Sequence, residues 1–232
     1  MDKKLLLKAV EIYGSPIYLY DLEKIKSQLI KFNKSFKSAG EIKVHYATKA
    51  LSNISVLKFI MNLDCGLDAV SIQEIKLGLK AGFKPESILY TPNGVCIEEI
   101  NEAVKLGVKI NLDSIESIID FSDSFPNNSL FIRVNPNIFD GGNNKTRVGH
   151  SESKFGIPVN QIEDLVKMEK ENKINIEGIH VHSGSDISNI ESFVKGAKTV
   201  FNLALKFRNI KYVDLGGGFK VPYFKTPFIL VE

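Results

Sequence analysis

The feature that most restricts the fold is an alternation of short apolar runs with amphipathic stretches. It repeats roughly every 20–25 residues, close to what a barrel of eight such units in about 250 residues requires. The apolar runs fall at residues 44–47, 66–69, 87–90, 108–112, 130–134, 176–181 and 212–215. Each is followed by a turn or cap and, except for the last, by a helical stretch. Helices are expected from Ser52 to Met61, over residues 160–169 and over about residues 191–207. Ser71-Ile72-Gln73-Glu74 has the form of a capping box, Gly82 and Gly107 close helices, and Asp113-Ser114 caps another. Seven strand–helix units with short connections predict an α/β fold on a parallel sheet. A closed barrel and a doubly wound open sheet share this pattern. The even period, and no early glycine-rich nucleotide loop, favour the barrel.

Residues 1–40 read as a lead-in. A helical segment ends at Gly14-Ser15-Pro16, residues 17–20 carry a strand signal, and Asp21 caps a helix that Gly40 ends. That helix has apolar positions Leu22, Ile25, Leu29, Phe32 and Phe36, at helical spacing. Residues 41–232 make up the barrel portion.

Composition excludes several function classes. A formal net charge of +3 with no basic run gives no footprint for nucleic acid. No apolar stretch approaches a membrane span, and Met1-Asp2-Lys3-Lys4 does not begin a signal peptide. Cys65 and Cys96 are too few and too separated for a disulfide scaffold or a zinc ribbon, and read as reduced thiols of a cytoplasmic protein.

In a parallel barrel, chemistry gathers at the carboxyl ends of the strands. Unusual polar residues stand there in this chain: Lys49, Asp68, Asn93, Arg133 with Asn135, His180 with His182 and Ser183, and Gly216, Gly217 and Gly218. Lys49 follows a short strand, where a partly desolvated amine is a candidate Schiff-base nucleophile toward a phosphate-bearing aldehyde cofactor. The three glycines offer backbone N–H groups without side-chain obstruction, which suits a phosphate. His180 is a candidate to stack on an aromatic ring or donate a proton to it; it also reads as a core histidine. His180 and His182 point to one side of their strand, but no third group lies at metal-site spacing, so no metal is expected. Asp68 suits orienting a neighbour or capping the helix at Ser71, and Arg133 suits supporting a cofactor or forming a structural ion pair. The long polar stretch over residues 140–150, which contains Arg147 and His150, reads equally as a substrate lid or a solvated loop.

Six stretches carry a resemblance. They are Tyr46-Ala47-Thr48-Lys49-Ala50, Gly66-Leu67-Asp68-Ala69-Val70-Ser71, Arg133-Val134-Asn135-Pro136, Ser153-Lys154-Phe155-Gly156, His180-Val181-His182-Ser183-Gly184-Ser185 and Asp214-Leu215-Gly216-Gly217-Gly218. Together and in this order, the chain resembles the barrel-fold pyridoxal-phosphate decarboxylases, which share the alanine racemase type of barrel. The Gly-Leu-Asp-Ala-Val-Ser form and His182 favour the diaminopimelate decarboxylase branch over the ornithine and arginine branches. The resemblance implies pyridoxal 5'-phosphate as cofactor and decarboxylation of meso-2,6-diaminopimelate to L-lysine and CO2, the last step of lysine biosynthesis. It implies that Lys49 holds the cofactor covalently, that His180 stacks on its ring, and that Ser183 with Gly216, Gly217 and Gly218 binds its phosphate. Asp68 would lie near the Lys49 end of the ring, Arg133 behind it, and Lys154 and His182 on the substrate side. The partners it implies are a small amino-acid substrate and, at full length, a second copy in a cytoplasmic homodimer.

The family also carries an eighth strand with a Glu-Pro-Gly-Arg-like stretch, whose carboxylate pairs with the pyridine nitrogen, and a C-terminal β domain. Residues 1–232 contain neither. The chain is therefore expected to be a barrel portion truncated before strand eight. Alone it would be weakly active, or an inactive cofactor-binding or partner-binding homologue.

Overall fold

The computed structural model describes residues 2–136, 154–182, 184–187 and 190–221. Among the described residues there are eight parallel-paired strands: β1 (His45–Ala47), β2 (Gly66–Ala69), β3 (Ile88–Tyr90), β4 (Lys109–Leu112), β5 (Leu130–Asn135), β6 (Ile157–Pro158), β7 (Ile176–Val181) and β8 (Tyr212–Asp214). The helices are α1 (Lys3–Tyr13), α2 (Leu22–Ser35), α3 (Ile54–Met61), α4 (Ile72–Ala81), α5 (Ile97–Lys105), α6 (Ile115–Ser124), α7 (Ile162–Lys170) and α8 (Ile190–Ala204).

The sheet order is β1-β2-β3-β4-β5-β7-β8, with the short β6 beside β5. Spatial order thus follows chain order. That is the winding of a barrel, since a doubly wound sheet reverses direction at its switch point. Among the described residues β1 and β8 are the two edges of this curled sheet.

Side chains alternate between the two faces of each strand. One set is apolar: Leu67, Ile88, Tyr90, Leu112, Ile132 and Ile179 are fully or almost fully buried against helix residues such as Leu57, Ile75, Ile118 and Leu165. Each such side chain contributes about 1.5–3 kcal/mol by leaving water. The other set is largely polar, and it forms the interior of the curl.

Helix ends follow the expected chemistry with adjustments. The Ser71 hydroxyl accepts from Glu74 N, and the Glu74 carboxylate accepts from Val70 N at 2.8 Å, so the box closes one residue early. Gly82 ends α4 with φ +106. The cap of α3 is Asn53 and not Ser52, because a 3-10 turn over Thr48–Ala50 uses up chain after β1. The Asn53 oxygen then accepts from both Ser55 N and Val56 N. Residues 17–20 form no strand: no described strand lies beside them to supply ladder hydrogen bonds, and Tyr18 is 90% exposed. α2 ends at Ser35, and a 3-10 turn (Lys37–Ala39) separates it from Gly40. Its Ile25 and Leu29 pack on the core. Both cysteines are free, Cys65 buried and Cys96 exposed.

Candidate functional site

The register fixes which side chains share the polar face. Arg133 on β5 lies beside His180 on β7, and His180 beside Asp214 on β8. On the other side, Asp68 of β2 sits between Ala47 and Leu89. Four of these strands are tied together by side-chain hydrogen bonds. Thr91 Oγ1, just past β3, donates to Asp68 Oδ1 at 2.9 Å. Asn111 Nδ2 of β4 donates to Thr91 Oγ1 at 3.3 Å and lies 2.7 Å from His180 Nδ1. A chain of contacts therefore runs Asp68–Thr91–Asn111–His180 across the interior. Asp68 does not cap the helix at Ser71; that role belongs to Ser71 itself.

Lys49 stands at the end of β1 in the Thr48–Ala50 turn and is exposed. Its charge lowers the pKa of Asp68, His180 and His182, so the ammonium lies within electrostatic reach of all three. Burial is the larger influence on each. It pushes Asp68 above the usual carboxylate range and holds His180 and His182 down at about 3. Arg133 adds to the depression of both histidines. Both imidazoles are thus neutral at working pH, and the cations near them are Lys49 and Arg133.

Arg133 is itself lowered by burial, against the pull of Asp113, Asp68 and Asp214. Its guanidinium lies 4.8 Å from the centre of the Phe155 ring, and Lys154 Nζ lies 4.9 Å from the same centre. Lys154 is thereby grouped with Arg133. Asn93 Nδ2 donates to Asp113 Oδ2 at 2.7 Å, outside the hydrogen-bonded chain.

The glycine run follows β8. Gly216 and Gly218 have φ of +68 and +94. A Cβ at Gly216 would meet Val181 O at 2.4 Å, and one at Gly218 would meet Gly184 O at 2.1 Å. Both positions require glycine. A Cβ at Gly217 would meet nothing within 4 Å, so open space faces that backbone. Cβ atoms at Gly216 and Gly218 would also lie 3.1 and 3.3 Å from the His182 ring, which therefore sits against the run. The two residues expected on the substrate side make separate contacts, His182 with the glycines and Lys154 with Phe155. Ser183, Arg147, His150 and the stretch at residues 140–150 lie outside the described residues.

Thr91, Asn111, His45 and Asp214 were not foreseen as members of this face. Asp214 Oδ1 accepts from Gly216 N, burial raises its pKa, and it is an electrostatic partner of His45 on the opposite edge strand. A usable signal existed for Asn111: an amide between Ile110 and Leu112, two residues from both Lys109 and Asp113, alternates polar with apolar.

The arrangement resembles known proteins in sequence and structure. The pyridoxal-binding domain pattern of pyridoxal-dependent decarboxylases matches residues 22–229. The chain is 32% identical over 225 residues to diaminopimelate decarboxylase of Methanothermobacter thermautotrophicus, covering 93% of this chain and 53% of that protein. It is 31% identical over 223 residues to the Helicobacter pylori strain J99 enzyme of the same name, covering 92% of this chain and 55% of that protein. The crystal structure of the Helicobacter pylori enzyme complexed with L-lysine aligns with a TM-score of 0.82 and 31% identity, over 99% of this chain and 60% of that one. The chain spans about half the length of the curated relatives it matches. Among the described residues no helix is long and apolar enough to cross a membrane.

Proposed function

Because the chain belongs to the pyridoxal-dependent decarboxylases as a pyridoxal-binding domain, we propose that its polar barrel face holds pyridoxal phosphate for the decarboxylation of meso-2,6-diaminopimelate to L-lysine. The observation that carries this reading is the joint position of Lys49, the neutral His180 and the open face of Gly217.

The residues fit that cofactor. Lys49 supplies an amine at the mouth, and two uncharged imidazoles stand within its field. The glycine run offers the backbone N–H groups of Gly217 and Gly218 beside a space that no protein atom fills at Gly217, the Gly216 N–H being held by Asp214. When bound, the group accepts the electrons left behind as a carboxylate departs as CO2.

The chain's own residues have distinct tasks. Lys49 Nζ carries the cofactor, and its lack of burial keeps it reachable. His180 is held with little freedom and offers a neutral ring face for stacking. Asp68, beside Thr91, sets a carboxyl group at the Lys49 end. Arg133 would support the ring from behind, a task that its place beside His180 in the register supports. The glycine run takes the phosphate, with Ser183 as a further donor. Lys154 and His182 complete the substrate side, His182 from the glycine flank. A small amino acid is the substrate class, and the reading carries with it a cytoplasmic homodimer.

The test is CO2 release by the protein carrying this chain, with pyridoxal phosphate and one amino acid at a time. Release from meso-diaminopimelate well above that from L-ornithine or L-arginine is expected. Release from either of those instead would move the substrate to another branch of the family.

A further inference from the structure

We infer that Asn111, aligned by Thr91 and Asp68, is a positioning residue that fixes His180 as the neutral tautomer carrying its proton on Nε2. The Thr91 hydroxyl donates its single proton to Asp68 Oδ1 at 2.9 Å, a bond that favours the ionised, accepting form of this carboxyl against its burial. Thr91 Oγ1 is then left as an acceptor. The group 3.3 Å away on Asn111 must therefore be the amide nitrogen.

The same Nδ2 lies 2.7 Å from His180 Nδ1 and has a second proton to give. His180 Nδ1 accepts it, and the ring proton stays on Nε2. The opposite amide orientation would set Asn111 Oδ1 against the Thr91 lone pairs. It would also strand two buried N–H groups, since Asn111 is 0% exposed. In the orientation present, Oδ1 is the one Asn111 side-chain atom without a partner among the described residues, and an unmet carbonyl costs less than two unmet N–H donors.

The consequence reaches function. Asn111 pins one ring nitrogen, so the plane of His180 cannot turn freely about its side-chain bonds. The depressed basicity of His180, due first to burial and then to Arg133, agrees with a ring that receives a hydrogen bond at Nδ1 and no second proton. The role in presenting that ring rests on the proposed cofactor site; the tautomer itself does not.

The experiment is 15N NMR of histidine-labelled protein, with His180 assigned by the signals lost in His180→Gln. Wild-type protein without cofactor should show a pyridine-type Nδ1 and a pyrrole-type Nε2, unchanged between pH 5 and 8. Asn111→Asp keeps the shape and replaces the donor by an acceptor. It should move the pyrrole-type signal to Nδ1 and bring His180 into the titrating range. Thr91→Val removes the acceptor that aligns the amide and should yield a mixture of tautomers, which serves if Asn111→Asp does not fold. A protonated Nδ1 in the wild type, or a single Nε2–H tautomer retained in a folded variant, would overturn the inference. Adding pyridoxal phosphate separates the two readings. His180 signals that shift on binding, with affinity two- to tenfold weaker in Asn111→Asp (about one hydrogen bond), support the positioning role. His180 signals that stay put on binding sink the cofactor role of His180 and leave the tautomer assignment standing on the apo spectra.

Discussion

Gly216 N donates to Asp214 Oδ1 at 2.8 Å, so a half-buried carboxylate at the end of β8 bends the chain into the glycine run. That bond holds the turn that leads into Gly217, where an added Cβ would meet no atom within 4 Å. The contrast between Gly217 and Gly218 makes this testable.

Gly217→Val should leave stability unchanged and weaken binding of pyridoxal phosphate by about tenfold or more, a loss of roughly 1.4 kcal/mol. The Cβ it adds meets no atom within 4 Å, and its methyl groups enter the proposed phosphate space. Gly218→Ala should instead destabilise the fold, because its Cβ would fall 2.1 Å from Gly184 O at a φ of +94. Melting temperature and cofactor titration of both variants check the pair. Equal cofactor affinity in Gly217→Val and the parent would count against the cradle.

Glu169 and Arg208 form a structural pair far from this chemistry. The Glu169 side chain is 0% exposed, and both its oxygens accept from Arg208 N at 3.1 Å. The Arg208 guanidinium also donates to the Glu169 carbonyl and to Asn172 Oδ1. Glu169→Ala strands Arg208 N, removes the carboxylate beside the guanidinium, and should cost about 3 kcal/mol, the low end for a broken buried pair because Arg208 remains half exposed. The urea midpoint should fall with its slope unchanged. A loss below about 1 kcal/mol would show that the pair contributes no more than a surface contact.

The histidines set a pH dependence. His180 and His182 have folded pKa values of about 3 against an unfolded value of about 6.5. Between those values the unfolded chain binds protons that the folded one does not. Stability therefore falls as pH drops below about 6.5, by up to about 1.4 kcal/mol per pH unit for each histidine. Asp68 and Asp214, raised by burial, act with opposite sign above about 3.8. His182→Gln should flatten the stability–pH curve between pH 7 and 5 by up to one proton. Parallel curves for variant and parent would rule out this source.

Much of the fold was legible because buried parallel strands are uninterrupted apolar runs, and seven of them recur at a steady interval. β6 was missed for a physical reason. It is a two-residue strand containing Pro158, defined by its pairing with Val134 and Asn135, which no local pattern reveals. The strand signal at residues 17–20 misled because β propensity forms a strand only where a partner edge exists. In the site, Lys49, Asp68, His180 and the glycine run were legible because they stand at the carboxyl ends of apolar runs. Thr91, Asn111 and Asp214 were not. Their significance lies in sharing one face across four strands, and register is a tertiary property.

The central claim is that Lys49 is the residue through which this barrel face holds its cofactor. The most direct measurement is borohydride reduction of the protein after loading with pyridoxal phosphate, followed by peptide mapping. The pyridoxyl group is expected on Lys49, with labelling lost in Lys49→Ala. A pyridoxyl group on another lysine, with Lys49 unmodified, would contradict the account.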